Sequence, residues 1–151
     1  MRRVAGLCMT VAVLALTVGS VTGREDKKPS LEGTYVIIGL EVGGKALPEA
    51  DIAKTAEADR TIKITADKMV ANRAGKEDST SYKIDASKTP HEIDTIGKSP
   101  DGKAETSYGI YKIDGDKLII CVVDSEKATD RPKEFKTTAD GKAMLMTLKK
   151  K

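Results

Sequence analysis

Tryptophan is absent from this 151-residue chain, phenylalanine and histidine occur once each, and cysteine twice. Each shortage excludes a class of function. Four tyrosines and one phenylalanine leave little for the exposed stacking platforms of sugar-binding and single-strand-binding proteins. Tyr82, Tyr111 and Phe135 also fall at inward-facing positions of their segments and read as core. One histidine, His91, without paired cysteines cannot supply the three or four protein ligands of a zinc site. On an extended strand His91 also points away from its neighbours Glu92 and Asp94. No Gly-x-Ser-x-Gly nucleophile elbow is present. No metal or cofactor is expected.

A basic excess is missing too. Removing Arg2 and Arg3 with an N-terminal leader leaves 24 basic residues against 23 acidic ones. Phosphate-driven nucleic-acid binding needs a clear basic stripe, and Lys149-Lys150-Lys151 reads as a solvated chain end. Cys8 belongs to the same leader, so Cys121 stands alone and no disulfide framework can form. Cys121 lies in the run Leu118–Val123, where a small buried apolar side chain is expected.

What the chain does have begins with the leader. Arg2 and Arg3 precede an apolar run from Val4 to Val18, small residues follow, and Arg24–Lys28 turns abruptly polar. The pattern predicts a signal peptide over residues 1–23, with Val21 and Gly23 at the −3 and −1 positions, then a polar linker over 24–30 and one domain over 31–151. The apolar run falls short of the ~20 residues of a membrane span, so no stable span is expected after cleavage. The protein is expected to be exported, to a periplasmic or extracellular location.

The domain is patterned as short strands and tight turns. Val36, Ile38, Leu40 and Val42 alternate with Tyr35, Ile37, Gly39 and Glu41, placing the first set on one face. Ile62 and Ile64 repeat the alternation, as do Tyr82 and Ile84. Gly43-Gly44, Asp114-Gly115 and Asp140-Gly141 are turn signals. Pro48 to Asp59 reads as one short helix covering an end or edge of the sheet, and Arg131-Pro132 opens a strand through Phe135 to Thr138. About eight or nine strands at this spacing predict an all-β antiparallel barrel or curled sheet.

Pro90-His91-Glu92-Ile93-Asp94, Gly109-Ile110-Tyr111 with Gly115-Asp116-Lys117-Leu118, Cys121, and Arg131-Pro132-Lys133-Glu134-Phe135, taken in this order, resemble an uncharacterised exported domain family of planctomycete bacteria. Leu31-Glu32-Gly33-Thr34-Tyr35-Val36 is similar to that family's first strand, with Tyr35 where tryptophan is frequent. The resemblance implies a lipocalin-like β-barrel and an extracytoplasmic location, and no established activity.

Asp94 and Arg131 sit in these motifs beside inward-facing apolar residues. A partly buried ion pair is the favoured role, with a polar ligand head at a barrel mouth the rival. Tyr35, Asp94, Tyr111 and Arg131 are the candidate ligand-binding residues. Two classes of function remain. The first is a binding module for a small apolar or amphipathic ligand; the second is a structural or protein-interaction domain of the cell envelope with a filled core. Hydrolysis comes a distant third. An eight-stranded barrel can be either filled or hollow.

Overall fold

The computed structural model describes residues 29–73, 75–99 and 101–151; the segment expected to be a signal peptide and most of the expected linker lie outside them. Nine strands form one antiparallel sheet: β1 (Gly33–Val42), β2 (Lys45–Ala46), β3 (Thr61–Ile64), β4 (Lys68–Arg73), β5 (Lys76–Asp85), β6 (His91–Lys98), β7 (Ala104–Asp114), β8 (Lys117–Asp124) and β9 (Ala143–Lys150). Pairing runs β1-β3-β4-β5-β6-β7-β8-β9, and β9 returns to β1, closing eight strands into a meander barrel with β2 outside. Closure removes the free edges that an open sheet would expose.

Two expectations are corrected. The single helix is two short ones, α1 (Glu49–Lys54) and α2 (Glu57–Arg60). The segment from Arg131 to Thr138 forms no strand; it crosses the outside of the barrel as an irregular strap after a 3-10 turn at Ala128–Asp130. Pro132 cannot donate to a ladder, and Arg131 spends its side chain on the neighbouring strands instead.

The apolar alternation of β1 is also broken. Partners directly opposite share a face, and Ile37 faces Leu148 while Leu40 faces Met146 and Val42 faces Met144. The register shifts between Ile37 and Gly39, so a bulge at Ile38 swaps the phase. The inward set is therefore Tyr35, Ile37, Leu40 and Val42, drawn from both sequence sets. The run from Tyr35 to Leu40 is apolar in both phases except at Gly39, which is why alternation alone could not choose.

β3 is too short to line β1 along its whole length. It pairs with Gly33–Val36 only. Beyond Val36 the seam between β1 and β4 is filled by the helices: Arg60 donates to Thr55 O at 3.0 Å and to Ile37 O at 3.3 Å, and Ile52 is buried. Leu47 N donates to Leu40 O at 2.8 Å.

The core lies toward one end. Tyr35, Ile64, Tyr82, Ile93, Tyr111, Leu118 and Leu148 fill the interior there, and Leu31 caps them. Short turns close this end, at residues 65–67 and 115–116, while the long connections 43–60 and 125–142 gather at the other.

Candidate functional site

At the end with the long connections the interior is not filled. A cavity of about 230 Å³ opens there, bounded by side chains from every strand of the closed barrel and by Asp59 of α2. Its volume equals roughly eight waters at ~30 Å³ each. It lies just under the ~300 Å³ at which ordinary ligand pockets begin, so it suits a small occupant.

The inward register explains the lining. Ile62 faces Ala71 and Ile64 faces Met69, so β3 and β4 contribute a short apolar patch. Ile120 faces Met146 and Val122 faces Met144, continuing the apolar lining beyond β1. Between them β5, β6 and β7 turn polar. Ala71 faces Asp78 and Met69 faces Thr80; Thr95 faces Ser107, and Ser107 faces Asp124. Ser107 Oγ donates to Asp124 Oδ1. The same strands that bury Tyr82, Ile93 and Tyr111 at the packed end thus present hydroxyls and carboxylates at the open end. Asp78, Lys98, Glu105 and Asp124 are exposed and form the rim.

The four residues expected to bind ligand stand elsewhere. Tyr35 and Tyr111 belong to the packed end, 5% and 0% exposed. Burial raises the pKa of both phenols, as it does for Tyr82. Tyr82 Oη donates to Thr65 O at 2.7 Å, whereas the buried Tyr111 hydroxyl has no partner among the described residues. His91 stacks on Tyr111 with ring centroids 5.4 Å apart, and its Nδ1 lies 3.0 Å from Lys88 O.

Asp94 and Arg131 meet on the outer face of the barrel. The Arg131 guanidinium, 15% exposed, donates to Asp94 Oδ1 at 2.7 Å, Gly109 O at 2.7 Å and Ile93 O at 3.2 Å. Glu92 lies 3.5 Å away, and the Tyr108 ring lies under the cation at 5.5 Å. The group clasps the strap to β6 and β7. A second attachment holds the strap's far end, where the Glu41 carboxylate accepts from Thr137 N at 3.1 Å and Thr137 Oγ1 at 2.6 Å. Those bonds lower the Glu41 pKa. Thr137 Oγ1 also accepts from Gly44 N at 2.8 Å.

Cys121 is buried, as its run implied, but on the outward face beneath the strap, with Sγ 3.7 Å from Lys136 O. Burial pushes its thiol pKa up, against the reactivity of a thiolate. Phe135, expected in the core, packs outside instead, with Lys112 Nζ 4.8 Å from its ring. Gly109 has to be glycine for β7 and β8 to approach here: a Cβ there would lie 2.5 Å from Cys121 O and 2.6 Å from Val122 Cγ1.

Among the described residues no helix is long and apolar enough to cross a membrane. No protein-family model, curated protein or solved structure matches the chain, so the functional reading rests on the barrel's own geometry.

Proposed function

We propose that the protein is an exported, non-catalytic binding module that holds one small molecule with an apolar body in the open half of its barrel. The observation that carries this reading is the asymmetry of the interior. One end is filled by three tyrosines and branched aliphatics, while the other keeps about 230 Å³ empty beneath an exposed polar rim. A barrel serving only as a scaffold gains by filling that space with side chains, because Ile37, Ile62, Met69 and Met146 otherwise keep apolar surface facing water. Export is supported by Arg2, Arg3 and the apolar run Val4–Val18. The sole histidine sits against Tyr111 in the packed end and is not among the cavity residues, which favours binding over acid–base chemistry.

Native mass spectrometry of the full-length gene product from its own host tests the proposal. A mass addition of small-molecule size is expected on the wild-type protein. It is expected to vanish in Ala71→Phe, whose ring would occupy the cavity. Ala71→Phe should change unfolding free energy by less than the ~1–3 kcal/mol that overpacking costs in a filled core. An adduct that survives Ala71→Phe, or a wild-type protein recovered bare, contradicts the proposal.

A further inference from the structure

The cavity's two sides differ in chemistry, and the difference selects the charge of what can occupy it. Ile37, Ile62, Met69 and Met146 represent an apolar wall from β1, β3, β4 and β9. Opposite them, Thr80 and Thr95 present hydroxyls. Above this floor the rim carries Asp59, Asp78, Glu105 and Asp124 against Lys98 alone. Among the described residues no ion pair engages any of these five groups.

The four acids stand on α2, β5, β7 and β8, distributed around the opening and not gathered at one point. Among the described residues no three Asp, Glu, His or Cys side chains come together closely enough to hold a metal ion. An inorganic cation would also leave the apolar floor unused. Glu105 and Asp124 additionally face an outer groove containing Lys103, Lys127 and Lys142, which offsets part of their charge. Asp59 and Asp78 do not border that groove and act on the cavity without this compensation.

Resting on the binding reading above, we infer that the occupant is a small organic cation, an ammonium group on an apolar body. The body lies on the floor between Met69 and Met146, and the ammonium donates to the rim carboxylates, with the Thr80 and Thr95 hydroxyls as further acceptors. A carboxylate ligand of the same size meets the acidic rim head-on and is rejected. A neutral alcohol gains the floor but not the charge.

The test uses three probes with one six-carbon tail, hexylammonium, 1-hexanol and hexanoate. Each is titrated into the full-length protein carrying ¹³C-methyl methionine, and the shifts of Met69, Met144 and Met146 are followed. Hexylammonium is expected to bind roughly fivefold more tightly than 1-hexanol, the size of one partly exposed charge contact. Hexanoate is expected to bind most weakly. The gap between hexylammonium and 1-hexanol should shrink in ~0.5 M salt, where the Debye length falls to a few ångströms. Asp59→Asn combined with Asp78→Asn should close the gap by lowering hexylammonium affinity toward that of 1-hexanol. Equal affinity for hexylammonium and 1-hexanol in the wild-type protein overturns the cation inference and leaves the binding reading standing. A gap that persists in the double variant overturns the assignment to Asp59 and Asp78. Absence of saturable shifts with every probe overturns both readings.

Discussion

The two halves of this barrel are built from the same strands and differ in what those strands turn inward. β5 supplies Tyr82 and Ile84 to one end and Asp78 and Thr80 to the other. β7 supplies Tyr111 to the packed end and Ser107 to the open one. The two longest connections, 43–60 and 125–142, both lie at the open end. An eight-stranded barrel can be filled by side chains or left open inside, and here both arrangements occur along one axis.

The largest expected effect sharpens this contrast directly. Ile93, fully buried in the packed half, should cost ~2–5 kcal/mol on substitution by alanine. Met146, half-buried on the cavity wall, already lacks neighbours on one side, so Met146→Ala should cost about 1 kcal/mol, well short of the buried Met→Ala range. Urea unfolding of the two variants measures the difference. Equal losses would break the division into halves.

Next comes the strap that covers the outer wall. Arg131→Ala removes the donor to Gly109 O and Ile93 O and leaves Asp94 without its partner, an expected loss of ~1–3 kcal/mol. The Cys121 thiol should then react faster with a soluble disulfide reagent, because the strap that shields it is released. Arg131→Lys should not restore either property, since a point charge cannot reach three acceptors in a plane.

A smaller pair of effects has opposite signs within the packed half. Tyr111→Phe deletes a buried hydroxyl that has no partner among the described residues and should raise stability by ~1 kcal/mol. Tyr82→Phe deletes the bond to Thr65 O and should lower it by a similar ~1 kcal/mol. Thermal unfolding resolves both, and a loss at Tyr111→Phe would mean that its hydroxyl is satisfied.

The smallest effect is on pH dependence. The Thr137 bonds hold the Glu41 pKa below the ordinary glutamate value of 4.5. The bound carboxylate therefore contributes stability that is fully present above that value and is lost as pH falls through the folded-state pKa. Glu41→Gln should flatten the acid limb of the stability curve below pH 4.5 and leave its neutral region almost level. An unchanged acid limb would remove Glu41 from the account of how the strap is held.

The all-β antiparallel architecture was readable because Ile62/Ile64 and Tyr82/Ile84 keep strict alternation between glycine-marked turns. The bulge at Ile38 was not, because Val36 and Ile38 are as apolar as Tyr35 and Ile37 and the choice is made by Leu148 and Met146 across the sheet. The strap has the sequence pattern of a strand because Phe135 and Thr137 keep strand-like spacing, while their partners lie outside the barrel. The cavity left one trace in the sequence. β5 runs from Lys76 to Asp85, yet its inward positions are apolar only at Tyr82 and Ile84. The apolar alternation of Tyr82 and Ile84 alone leaves out Asp78 and Thr80, the residues that mark the open half. Inward polar positions continuing a strand beyond its apolar stretch are the signal that could have found the site.

A crystal structure under xenon pressure tests the half-filled interior most directly, because xenon enters apolar cavities and not packed cores. Xenon is predicted between Met69, Ile120 and Met146, with none beside Tyr111 and Ile93. Methionine side chains collapsed together across the open half, with no xenon among them, would contradict it.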